Sequence, residues 1–186
     1  MIMPLRRTWF DPAGRDRRVA FVGVPKCGLT STVARLQLDI DHDWMITGER
    51  DLPGYKYFSI VRNPLDRFIS GWLEARRRGT TEHSAAALLE SIAVRGFDQV
   101  DEHVWPQRYW LTVHPIGRNK LFEFGDWSAI DEYIGGDQVV WPHLNPSGPL
   151  TIRADVDEEL HRSVFADDWQ LFENTIAADV DSSMPA

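Results

Sequence analysis

Cysteine is nearly missing from this sequence: Cys27 is the single one among 186 residues. No intramolecular disulfide can form, and a cysteine-rich zinc site is excluded. Basic residues are also in deficit, with 20 Lys and Arg against 28 Asp and Glu for a net charge of −8. Nucleic-acid binding normally needs a basic surface, so the balance argues against nucleic acid as a partner, and any anionic ligand must be held by a local site. Long apolar runs are absent as well. No stretch approaches the roughly 18 apolar residues of a membrane span. The opening MIMPLRRTWFDPAGRDRR is charged and broken by proline, without the apolar centre of a signal peptide. The expectation is a soluble, cytoplasmic protein in a reducing environment.

Apolar residues, by contrast, are plentiful: the chain is 43% hydrophobic and holds eight tryptophans. That suffices for one domain of ordinary size spanning 1–186, with a core over about 18–176 and loose ends at 1–17 and 179–186. RVAFVGV, 18–24, reads as a buried strand, and Thr30 or Ser31 then caps a helix with Val33, Leu36 and Ile40 at helical spacing. YKYFSIVR, 55–62, is a second strand, after which Asn63-Pro64 starts a helix whose stripe is Leu65, Phe68, Ile69, Trp72 and Leu73. SAAALLESIAVRG, 84–96, is a further helix, and KLFEF, 120–124, a third strand leading into the helix WSAIDEYIGG. The stretch 155–176 reads as one or two closing helices with a break near Ala166–Asp167. Strands alternating with helices imply an α/β fold with a parallel sheet covered on both faces.

GVPKCGLTS, 23–31, nearly spells a nucleotide-binding loop. Gly23, Gly28 and Thr30 keep the P-loop frame, but Leu29 occupies the lysine position and Lys26 stands three places early. A glycine turn opening a helix gathers backbone N–H groups at one point, and Lys26, Thr30 and Ser31 add a charge and two hydroxyls. The plainer reading is a strand-to-helix turn with an exposed lysine. The second strand ends at Arg62, with Ser70 eight residues on; arginine forks onto phosphate oxygens and a helix serine adds one hydrogen bond. Alone, such an arginine is more often structural. In open α/β sheets ligands sit at the carboxyl ends of strands, and two anion-binding strand ends suit one ligand with two separated anionic groups.

These residues resemble the sulfotransferase family. P-K-C-G-L-T-S is similar to its 5′-phosphosulfate-binding loop, and I-V-R-N-P-L-D-R-F-I-S-G-W to its 3′-phosphate-binding element, with Arg62 and Ser70 in the matching places. The likeness is to the carbohydrate and Golgi-type branch. DEHVWPQ, 101–107, is similar to a His-x-x-Pro-Gln-like stretch there. LFEFGDW resembles a later strand with a terminal acid, and HLNPS, 143–147, a segment near the cofactor. Unlike secreted Golgi members, the sequence shows no membrane anchor and no paired cysteines. The resemblance implies a P-loop-NTPase-like three-layer sandwich, with a central parallel sheet flanked by helices. It also implies the donor 3′-phosphoadenosine 5′-phosphosulfate, leaving as adenosine 3′,5′-bisphosphate without a required metal. Lys26, Cys27, Gly28, Leu29, Thr30, Ser31, Arg62 and Ser70 would bind it.

By the same resemblance, Lys26 reaches the oxygen bridging sulfate and 5′-phosphate, where charge builds as that bond breaks. A hydroxyl acceptor needs a base, and His103 in DEHVWPQ is the choice; a histidine that only hydrogen-bonds in a Trp- and Pro-rich loop is the alternative. Glu49 or Glu123 are substitutes for the base, although Glu123 better suits an orienting role. His143 suits the cofactor region or a structural role, while His42, His83, His114 and His161 lack promoting context. The acidic run DVDEEL fits a helix start better than a metal site. Trp105, Trp110, Trp127 and Trp141 suit core packing first and an acceptor pocket second. The acceptor expected is a small molecule or carbohydrate offering a hydroxyl or an amine, and the sequence fixes neither its identity nor the oligomeric state. Two other readings stand beside this one: an ATP-dependent small-molecule kinase with a variant P-loop and a carboxylate such as Glu123 or Asp126 for magnesium, and a non-catalytic nucleotide-binding relative.

Overall fold

The computed structural model describes residues 5–10, 16–35, 56–112, 119–135, 141 and 155–182. Ile40, Glu49, His42, His114 and the HLNPS segment lie outside them. The chain divides into two compact units, Met1–Val61 with Trp110–Asn145, and Arg62–Tyr109 with Pro146–Ala186.

The first unit carries a four-stranded sheet in the order β1-β2-β3-β4: β1 Leu5–Phe10, β2 Asp16–Phe21, β3 Lys56–Val61 and β4 Asn119–Glu123. β2, β3 and β4 run parallel, with Phe21 opposite Phe58 and Val61 opposite Glu123. β3 explains the arrangement, since Tyr57 to Val61 are all buried and only a central strand is apolar on both faces. Phe58 packs 5.1 Å from Phe21 and 6.2 Å from Phe122, linking the three parallel strands through their rings. The pairing runs past the strand ends, as Val22 N–H donates to Phe58 O and Phe124 N–H to Val61 O. Helices α1 Leu29–Arg35 and α5 Trp127–Ile134 follow β2 and β4.

Two expectations are corrected. The segment LRRTWF is a strand, not part of a loose flank: β1 pairs antiparallel with β2 from Leu5↔Phe21 to Phe10↔Asp16, so the sheet is mixed rather than wholly parallel. Among the described residues it pairs on one side only, and an edge strand needs no continuous apolar run to signal it. The other correction is at the far end, where the last helix continues to Ser182, into the stretch read as loose from 179.

The second unit is helical. α2, Pro64–Arg77, starts where Asn63 Oδ1 accepts from the N–H groups of Leu65 and Asp66, with Pro64 locking the first turn. Leu65, Phe68, Ile69 and Trp72 are buried as the stripe predicts, while Leu73 is half-buried. α3, Ala85–Arg95, runs from the Ser84 cap to Gly96, whose φ of 76° is the left-handed ending glycine allows. A 3-10 turn, Glu102–Val104, precedes α4, Gln107–Thr112, whose first residues belong to this unit. α6, Glu158–Val164, is capped by Asp157 and joined at Phe165 to α7, Ala166–Ser182. The DVDEEL acids thus serve a helix start. The break falls at Phe165, one residue from where the sequence suggests it, because that ring turns inward to stack on His161 at 4.5 Å and meet Phe68 at 5.7 Å. Among the described residues no helix is long and apolar enough to cross a membrane.

Candidate functional site

Lys26, Cys27, Gly28, Leu29, Thr30 and Ser31 lie in the first unit; Arg62, Ser70 and His103 lie in the second. In the first, Cys27 N–H donates to Val24 O at 3.2 Å, closing a four-residue turn with Pro25 second and Lys26 third. Lys26 has φ 66°, the one non-glycine residue with positive φ among those described. This is the form of a type II turn, whose third position normally goes to glycine or asparagine. A lysine there costs about 1–2 kcal/mol of backbone preference, and strain of this kind gathers at functional positions.

The rest of the loop is tightly specified. Gly28 has φ 77°, and a Cβ on it would lie 3.1 Å from Trp127 and 3.2 Å from Phe124. Any Cβ at Gly23 would meet Leu29 Cδ1 at 2.6 Å, so Leu29, at the P-loop lysine position, has a packing role over the first glycine. Cys27 is fully buried, Ser31 is buried and Thr30 is exposed. Behind Gly28, Trp127 stacks on Trp141 at 4.8 Å, and Trp141 donates to the buried Asp131, which also pairs with Arg35 at 2.9 Å. Trp141 and Trp110 are buried and Trp127 half-buried, in keeping with core packing. Asp126 caps α5 by accepting from Ala129 N–H, which gives that carboxylate a structural task.

In the second unit, Arg62 is half-buried and its main chain is held by Gln107. Arg62 N–H donates to Gln107 Oε1 at 3.2 Å, and Gln107 Nε2 donates to Arg62 O at 2.9 Å. Gln107 and Arg108 in turn donate their own N–H groups to the two oxygens of Asp168, at 2.8 and 2.7 Å. Burial pushes the Asp168 carboxyl up from the ordinary range, opposed by the charge of buried Arg67 and by those two N–H donors.

Ser70 is buried on α2 beside Gly71. A Cβ on Gly71 would lie 2.3 Å from the carbonyl oxygen of His103, so the helix and the 3-10 turn touch backbone to backbone at the residue next to Ser70. The structure therefore brings the Ser70 and His103 segments together. His103 Nδ1 lies 2.7 Å from Asp101 Oδ1, which also accepts from His103 N–H, while Asp101 Oδ2 accepts from the Thr80 hydroxyl at 2.7 Å. Burial alone would raise the Asp101 carboxyl, but the hydrogen bonds from His103 and Thr80 together hold it below the ordinary range. An ionised carboxylate only accepts, so Nδ1 is the ring nitrogen that donates in this pair.

Asp101, Gln107 and Asp168 hold the candidate residues His103 and Arg62, and sequence reasoning passed over them. The first two bracket the DEHVWPQ segment, and that position was the available signal. Asp168 carried none, because it stands 61 residues from Gln107 in the chain.

Arg62 at the end of β3, buried Ser70 on α2 and His103 beside Asp101 all lie in the second unit. Residues 41–115, which contain all three, match the model of the sulfotransferase family. The match supports membership of a sulfotransferase family, and the likeness to the carbohydrate and Golgi-type branch is consistent with it. It does not extend to the 23–31 loop. Searches of curated proteins and of solved structures return no match.

Proposed function

We propose that the chain is a sulfotransferase that uses 3′-phosphoadenosine 5′-phosphosulfate as donor and sulfates a hydroxyl of a small-molecule or carbohydrate acceptor. The observation that carries this reading is the sulfotransferase-family match over the segment holding Arg62, Ser70 and His103. The lysine kept at a turn position that favours glycine supports it from the other strand end. The full reading is one sulfotransferase-like domain over residues 1–186, with the P-loop-like three-layer fold of that family.

Each residue then has a task. Arg62 and Ser70 bind the 3′-phosphate, which distinguishes this donor from ATP. The N–H groups from Gly28 to Thr30 and the Lys26 ammonium bind the sulfate-bearing 5′ end. His103 Nε2 takes the proton of the acceptor hydroxyl as its oxygen forms a bond to sulfur. The bond between sulfur and the bridging oxygen breaks, and its electron pair leaves on the 5′-phosphate, where Lys26 meets the new charge. Asp101 stabilises the imidazolium that results. Positioning and charge stabilisation supply most of the rate, as in phosphoryl transfer.

The test is calorimetric titration with adenosine 3′,5′-bisphosphate, set beside ATP with magnesium. Metal-independent binding of the bisphosphate, weakened at least tenfold in Arg62→Ala by loss of a charge-assisted contact, is the expected result. Preference for magnesium-ATP would overturn the reading. Turnover is then read with labelled donor and an acceptor panel of sugars, phenols and amines.

A further inference from the structure

We propose that Gln107 is a positioning residue for the Arg62 contact to the donor's 3′-phosphate, and that Asp168 holds Gln107 in place; this rests on the donor reading above. β3 ends at Val61, whose carbonyl takes the last sheet hydrogen bond from Phe124. From Arg62 onward the backbone has left the strand, and the next two residues, Asn63 and Pro64, already belong to the start of α2. An arginine at that junction has a main chain that nothing in a sheet restrains. Gln107 supplies the restraint: one side-chain amide pairs with both the N–H and the C=O of Arg62, as a neighbouring strand would.

The amide cannot be turned around, because a flip would set N–H against N–H and oxygen against oxygen. Gln107 is also fully buried, so no water competes for these bonds. Its own backbone is pinned by Asp168, which is likewise buried and accepts from two successive N–H groups. The charge of Arg67, five residues beyond Arg62 on α2, acts on that same carboxylate. The chain of contacts therefore leaves Arg62 through Gln107 to Asp168 and returns along α2. None of these groups needs to touch the ligand. Their effect is to fix the base from which the Arg62 guanidinium reaches, so that its fork meets a phosphate without first giving up backbone freedom.

The experiment titrates the full chain with adenosine 3′,5′-bisphosphate and with adenosine 5′-phosphate, and reads the ratio of the two affinities. Wild type is expected to prefer the bisphosphate. Gln107→Leu, which keeps the volume and removes both bonds, is expected to cut that preference about tenfold, the size of one charge-assisted hydrogen bond, with 5′-phosphate binding unchanged. In an Arg62→Ala background the same change should have no further effect on the ratio. Asp168→Asn, which keeps one acceptor oxygen and adds no buried charge, should give a smaller loss of the same selective kind and serves if the leucine variant does not fold. An unchanged ratio, or an equal loss of both affinities, overturns the proposal. A wild type without 3′-phosphate preference would instead overturn the donor reading beneath it.

Discussion

Asp101 and His103 form a carboxylate–imidazole pair two residues apart, with Oδ1 2.7 Å from Nδ1 and the histidine ring mostly buried. The carboxylate selects the tautomer with the proton on Nδ1. Asp101→Asn can present an N–H there and reverse it. Long-range proton–nitrogen spectra of histidine should show His103 protonated on Nδ1 in the wild type and on Nε2 in the variant. With any acceptor the wild type sulfates, the rate should fall about 10²–10⁴-fold, the range of a lost general base, while bisphosphate affinity holds. An unchanged tautomer in the variant would remove Asp101 from the orienting role.

Lys26 offers a test of strain kept for function. Lys26→Gly and Lys26→Ala both delete the ammonium, but only glycine accepts φ 66° without penalty. Urea unfolding should find the glycine variant more stable than the alanine variant by about 1 kcal/mol. Both should lose sulfuryl transfer. Equal stabilities would mean that the turn relaxes to another conformation.

Glycines 71 and 79 separate crowding from backbone conformation. At Gly71 a methyl group would sit 2.3 Å from a backbone oxygen that cannot swing away, whereas at Gly79, with φ 71°, nothing lies within 4 Å. Gly71→Ala should cost about 3 kcal/mol or more by overpacking, and Gly79→Ala about 1–2 kcal/mol from φ alone. Chemical denaturation of the two variants measures the difference. Near-equal losses would show that the contact of α2 with the 3-10 turn yields.

His161 predicts a pH effect on stability. It is fully buried, its Nδ1 accepts from Trp169 Nε1 at 3.1 Å, and burial, with a smaller contribution from Arg162, pushes it down from the ordinary 6.5 to about 4. The unfolded chain takes up a proton near 6.5, and the native state resists until about 4. Stability is therefore complete above 6.5 and lost as the pH falls through this window, by about 3 kcal/mol in total. Urea midpoints at pH 7.5 and 4.5 should differ less in His161→Gln, which keeps an acceptor for Trp169 but does not titrate. Equal differences in the two proteins would exclude His161 as the cause.

Much of the fold was legible because its signals are local. β3 is a short, mainly apolar run, α2 carries its own cap and proline, and α3 lies between Ser84 and Gly96. What escaped was set by partners far along the chain. LRRTWF is a strand because β2 lies beside it, and its arginines hide the period. Of the candidate residues, Arg62, Ser70 and His103 were singled out through spacing and resemblance. Gln107 and Asp168 were not, since a side chain that holds another residue's backbone leaves no mark of its own at either position. Leu29 shows the converse, a residue that looks like a defect against one motif and has a packing reason in the folded loop.

The division into two units carries a consequence for how the protein is made. Both are discontinuous, but the first is complete once residue 145 has been synthesised, whereas the second takes its final part from 146–186. The residues of the sheet and of the lysine turn all precede Asp168 in order of synthesis, whereas the support of Arg62 through Gln107 waits for it. The hold on Arg62 thus comes after every residue of the first unit in chain order, so a chain truncated before α7 would keep the loop around Lys26 and lack the Asp168 support of Gln107.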